Sequence, residues 1–187
     1  MSKIPTPFAI SLIIVSGVIG VVLGYMSTPE YTLNMYNKTS MDLGRADQTL
    51  DLRYINAMIA HHRGAMLLAE QVSQHTQRQD MKDFAAMILA NEPVAIAELY
   101  AWKKDWYHDT RSVKDPIVAN LGNYDEKFDL RFLNALIEHH QIGLLMTSEI
   151  KTKSSRTEIL NNADAVDLFL TTTLAKFEQW RLEWYNI

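Results

Sequence analysis

Two histidine doublets, His61-His62 and His139-His140, stand 78 residues apart in this 187-residue chain, and the first is flanked by Met58 and Met66. Met58, His62 and Met66 are spaced by four, so on a helix they stack along one face, with His61 about 100° further round. Thioether sulfur selects copper(I) and imidazole accepts copper in either oxidation state, so this mixture favours copper over magnesium or calcium. Zinc remains open through the histidines, and iron ranks behind copper. Adjacent histidines do not chelate one ion as readily as a pair four apart. A full coordination sphere therefore calls on both doublets: His61, His62, Met58 and Met66 from the first stretch, His139 and His140 from the second.

The elements that must position these groups read as helices. Leu52, Ile55, Ile59, His62, Met66 and Ala69 follow alternating steps of three and four, the stripe of a helix turned toward a core, and His61 falls on the flanking row Tyr54, Met58, Ala65 and Leu68. Most of the stretch starting at Asp51 is written again from Asp129, and the same shift lays Trp180, Trp184 and Tyr185 over Trp102, Trp106 and Tyr107. An internal duplication is the economical explanation. The copies differ: Leu136 and Leu144 stand where the first has Met58 and Met66, leaving Met146 as the nearby thioether. Either one composite site draws on both halves, or the first half binds and the second has drifted toward a structural role.

The first helix is expected from about 47–51 to about His75, capped by Asp47 or Thr49. The second runs from about Asp80 to His108, with a kink or break at Pro93, where the proline ring crowds the Leu89 carbonyl. Residues 109–123 connect the halves. A third helix takes 124 to about 151 and a fourth about 158–185, and nothing reads as a strand. The expected fold class is all-α: an antiparallel four-helix bundle built from two tandem helical hairpins (repeat one 48–110, repeat two 124–187), related by a pseudo-two-fold axis.

The formal charge of −4 is mild and interspersed, which argues against a nucleic-acid partner. The absence of cysteine removes disulfides, thiolate zinc sites, iron–sulfur clusters and thiol catalysis, and with them a lipoprotein signal. Residues 8–26 form an uncharged apolar run preceded by Lys3. About 20 residues span a bilayer, more than the apolar core of a signal peptide. The expectation is an N-terminal transmembrane anchor over 1–27, a linker over 28–47 and a body over 48–187, held outside the cytoplasm by the positive-inside rule. Met35 and Met41 in the linker read as incidental, and Asn37-Lys38-Thr39 matches a glycosylation acceptor.

Two other readings stand beside copper binding. Buried histidines are commonly just hydrogen-bonded core residues and methionine a core filler, so a metal-free scaffold, or one with a pH-sensitive latch, is the structural alternative. Four imidazoles in one small bundle, however, leave many polar groups to satisfy. A di-iron oxidase is the enzyme alternative. It would need inward carboxylates and Glu-x-x-His pairs, and no Glu lies three residues before any of the paired histidines. The reading is thus of a binding protein and not an enzyme. The tryptophan pairs serve as core plugs or as a subunit contact in a homo-oligomer, and His75 and His108 as solvated residues near helix ends.

The segment Met58-Ile-Ala-His61-His62-Arg-Gly-Ala-Met66, with Trp102 and Trp106 downstream, resembles the DUF305 family, whose signature is Met-x-x-His-His-x-x-Ala. The resemblance covers nearly everything after the linker, once per half. It implies a ferritin-like helical bundle, exported or membrane-anchored, with copper binding and copper resistance among its members. Under that resemblance His61, His62, Met58 and Met66 match the motif directly, and His139 and His140 match it without the leading methionine. The family's Gln-x-x-Glu step ahead of the tryptophan is altered: Glu92 stands at the glutamine and Ala95 at the glutamate, with Leu170 and Thr173 in the second half.

Overall fold

The computed structural model describes residues 43–187. The expected anchor, residues 28–42 of the linker with Met35 and Met41, and the Asn37 acceptor lie outside the described residues. Among the described residues there are four α-helices: α1 Leu50–His75, α2 Gln79–Tyr107, α3 Phe128–Lys153 and α4 Thr157–Tyr185. Every boundary of α1 and α2 recurs 78 residues later in α3 and α4. Three-residue turns, 76–78 and 154–156, fold each pair into a hairpin, and the hairpins pack on one another chiefly through α1 and α3.

Of the two expected caps of α1, Asp47 supplies the side-chain bond and Thr49 does not. The Asp47 carboxylate accepts from the Thr49 N–H at 2.9 Å and from the Arg53 guanidinium at 2.9 Å, while Arg53 Nε donates to the Leu43 carbonyl at 2.6 Å. The arrangement recurs before α3, where Asp125 accepts from the Lys127 N–H and Arg131, and Arg131 Nε donates to the Leu121 carbonyl at 2.6 Å. Each arginine lies one turn inside its helix and reaches back, tying down orphan carbonyls of the preceding loop. Pro93 does not break α2, which is helical from end to end. Pro93 sits on the exposed face, so the backbone bond it deletes faces away from the core.

Two apolar clusters hold the hairpins together. One joins Leu68, Val72, Phe84 and Ile88 to Phe128, Phe132, Leu136 and Phe177; the other joins Tyr54, Ile55, Met58, Ile59 and Leu99 to Met146, Ile150 and Ile159. Each cluster pairs the later half of one first helix with the earlier half of the other, as antiparallel α1 and α3 require. Burying a side chain of this size contributes about 1.5–3 kcal/mol. The histidine doublets fall midway along α1 and α3, between the two clusters.

The ends of the hairpins exchange contacts. Arg156 of the second hairpin pairs with Asp51 at 3.1 Å and lies 4.1 Å over the Trp106 ring, and Arg78 of the first pairs with Asp129 at 3.4 Å and lies 4.3 Å over Trp184. Trp106 stacks on Trp102 with centroids 5.1 Å apart, and Trp184 on Trp180 at 5.0 Å. The tryptophans are therefore clasps between hairpins.

Candidate metal centre

The crossing of α1 and α3 at mid-length brings all four paired histidines into one buried layer, none more than 8% exposed. Gly143 makes this approach feasible. A Cβ there would lie 2.5 Å from both His61 Nε2 and Leu170 Cδ1, so only a residue without a side chain lets the His61 ring lie against α3. The His61 and His139 rings stack with centroids 3.8 Å apart and planes 23° from parallel.

Hydrogen bonds assign protons within the layer. His61 Nε2 lies 3.2 Å from the His139 carbonyl oxygen; a carbonyl only accepts, so Nε2 carries the hydrogen and Nδ1 the lone pair. His62 Nδ1 meets the Glu92 carboxylate from α2, which places a hydrogen on Nδ1 and leaves Nε2 as the nitrogen turned away from the carboxylate. The opposite ring nitrogens, His61 Nδ1 and His62 Nε2, are buried without a hydrogen-bond partner. His140 Nε2 lies 2.7 Å from Thr173 Oγ1 of α4, whose hydroxyl is also 2.7 Å from the Phe169 carbonyl.

Burial, and then the repulsion that a protonated His61 would meet from protonated His62 or His140, pushes His61 down to about 3, and burial beside its neighbouring histidines holds His139 well below the ordinary imidazole value. Burial alone takes His140 down to about 4. Removing a cation from water is costly, so these three rings stay neutral at physiological pH. Neutral imidazole is the form that binds metal, and no proton need be displaced first.

A cleft of about 330 Å³ opens between α2 and α4 onto this layer. Its floor is His61, His62, His139 and His140, and its walls carry Met87, Asn91, Glu92 and Glu98 from α2 with Asn162, Val166 and Phe169 from α4. Met58 is instead fully buried in the second apolar cluster, and Met66 packs half-buried against both clusters. Neither lines the cleft, where the available thioether is Met87. Among the described residues no three His, Asp or Glu side chains surround a common point. The donor set suits copper in kind, neutral imidazole with one thioether, yet an ion would have to draw the rings out of their stacked arrangement. His75 and His108 are exposed and apart from the layer.

Sequence reading passes over Gly143, and it marks Glu92 and Thr173 as departures from the Gln-x-x-Glu step without assigning them as partners of the histidines. Glu92 carried a signal: it interrupts the apolar stripe Phe84, Ile88, Ile96 and Leu99 at a spacing of four, and a carboxylate on a core stripe calls for a buried partner. Thr173 lies likewise between Leu170 and Phe177.

Curated proteins give no match to this chain. Among solved structures, CopM in the Cu(I)-bound form is similar at 27% identity and a TM-score of 0.64, over 71% of this chain and 95% of that one. CopM in the Ag-bound form gives the same figures, and CopM in the Cu(II)-bound form gives 26% identity and a TM-score of 0.61 over 72% and 97%. Residues 51–123, which hold the first histidine doublet, Glu92 and the first tryptophan pair, match the family model DUF305, a domain of unknown function.

Proposed function

We propose that this protein binds copper in the cleft between α2 and α4, taking ligands from His61, His62, His139 and His140 with thioether sulfur alongside. The observation that carries the reading is the pair of buried ring nitrogens without hydrogen-bond partners, His61 Nδ1 and His62 Nε2, in a layer where burial keeps His61, His139 and His140 neutral. Unmet ring nitrogens in a core cost stability unless something binds them, and similarity to CopM, solved with copper and silver bound, supports copper as that something. Met58 and Met66 enter the ligand set only if the layer repacks on loading, whereas Met87 is already in place. The second hairpin is a diverged tandem copy of the first within a ferritin-like bundle, its residues recruited to complete a shared site. The apolar run over 8–26 anchors the bundle in a membrane with the metal site outside the cytoplasm, where it sequesters copper or confers tolerance without turnover.

Calorimetric titration of the full-length chain in detergent with copper tests this. Binding should be lost when His61 and His62 are both changed to alanine, and unchanged affinity in that variant would defeat the proposal. A second reading, a metal-free scaffold whose histidines form a pH-sensitive latch, is favoured by the absence of a ready-made three-ligand cluster among the described residues. It predicts identical thermal melts with and without copper.

A further inference from the structure

The histidine layer is not armed alike on its two sides. His62 of α1 has a carboxylate on Nδ1, whereas His140 of α3, 78 residues on, has the neutral hydroxyl of Thr173 on Nε2. The residues that correspond to Glu92 and Thr173 at the same offset are Leu170 and Ala95, so neither half can reproduce the other's partner. The His62 and Glu92 side chains are 10% and 11% exposed, which keeps solvent from screening the carboxylate's influence on the ring.

We propose that Glu92 is a positioning residue that fixes His62 as an Nε2 ligand and makes the α2 side of the cleft selective for a doubly charged borderline ion, Cu(II) or Zn(II), over Cu(I). The proposal rests on the reading of the cleft as a metal site and adds to it which oxidation state that side prefers. Three features lead there. A carboxylate accepting the Nδ1 hydrogen leaves Nε2 as the basic nitrogen and raises its donor strength, the arrangement found behind metal-bound histidines. That Nε2 is buried and has no hydrogen-bond partner, so the basicity is not spent on another group. Beyond Glu92, the α2 wall offers oxygen from Asn91 and Glu98 but sulfur from Met87 alone, and oxygen with imidazole suits a dipositive ion better than a soft monovalent one.

The test uses the full-length chain in detergent with three probes, Cu(II), Zn(II) and Ag(I), the last as an air-stable soft monovalent ion. Glu92→Leu installs the residue found at the corresponding position of the second half. It is expected to weaken Cu(II) and Zn(II) binding by about 10- to 100-fold while Ag(I) affinity changes less than about threefold. Glu92→Gln keeps an acceptor for the Nδ1 hydrogen without the charge and should fall between wild type and Glu92→Leu. Nitrogen-15 chemical shifts of the metal-free protein supply an independent readout: His62 should show the Nδ1–H tautomer in wild type and in Glu92→Gln, and lose that preference in Glu92→Leu. Equal losses for Cu(II) and Ag(I), no loss for either, or an Nε2–H tautomer of His62 in wild type would each overturn the role of Glu92 while leaving copper binding intact. A wild-type protein that binds none of the three ions would overturn the metal reading itself. Should Glu92→Leu fail to fold by circular dichroism, the near-isosteric Glu92→Gln decides through the same Cu(II)-to-Ag(I) ratio, which must fall.

Discussion

At the scale of single residues, the site depends on a missing side chain as much as on those present. Gly143 leaves room for the His61 ring, and a methyl group in its place would collide with His61 Nε2 and Leu170 Cδ1 at 2.5 Å. Leu170 can swing aside at its tip, but His61 is held by its bond to the His139 carbonyl and by stacking. Gly143→Ala should therefore cost about 1–3 kcal/mol in denaturant unfolding, as overpacking of a filled core does, and should weaken copper binding along with it. The layer also sets a pH dependence. His61, His139 and His140 have folded-state values below the ordinary 6.5, so between those values and 6.5 the unfolded chain takes up protons that the native protein excludes. Stability is accordingly complete above about pH 6.5 and falls as the pH drops from there toward 4, by up to about 1.4 kcal/mol per pH unit for each such ring. Urea titrations of metal-free protein at pH 7.5, 6 and 5 measure the slope, and a flat profile would contradict the burial of neutral imidazoles.

At the scale of helices and turns, the hairpins are clasped at both ends by an exchange of arginines. Arg156 reaches from the α3–α4 turn to Asp51 and Trp106, and Arg78 from the α1–α2 turn to Asp129 and Trp184. A partly exposed ion pair contributes under about 1 kcal/mol and stacking on tryptophan about the same again. Arg156→Ala should thus lower unfolding free energy by about 1–2 kcal/mol, with Arg156→Lys losing the planar stacking and recovering part of the charge. The two clasps sit at opposite ends of α1, about 39 Å apart for 26 residues. Their effects should add in the double variant Arg78→Ala with Arg156→Ala, to within about 0.5 kcal/mol. Coupling well beyond that would mean that the hairpins separate as one unit once either clasp opens.

For the whole molecule, the two apolar clusters are joined by a polar layer whose rings are only partly satisfied. Copper bound there would stabilise the native state alone, by about 2.7 kcal/mol at a free concentration a hundred times the dissociation constant. Thermal melts should move upward on adding copper, and the shift should vanish when His61 and His62 are alanine. A shift that persists in that variant would place the ion elsewhere.

Much of this protein is determined locally. Steps of three and four, the turn residues and the repeat at 78 fix four helices whose observed ends lie within a few residues of those expected from sequence, because helical periodicity is a property of a short stretch of chain. The same periodicity puts His61, His62, His139 and His140 on inward rows. What faces them is a different matter, set by where one helix crosses another. Only the tertiary structure decides that Glu92 meets His62 and Thr173 meets His140, that Gly143 clears the way for a ring stack, and that Met87 reaches the cleft while Met58 and Met66 pack elsewhere. The Pro93 expectation shows the same divide: the lost backbone bond is legible in sequence, but that α2 continues unbroken through it, with the proline on the exposed face, is seen only in the fold.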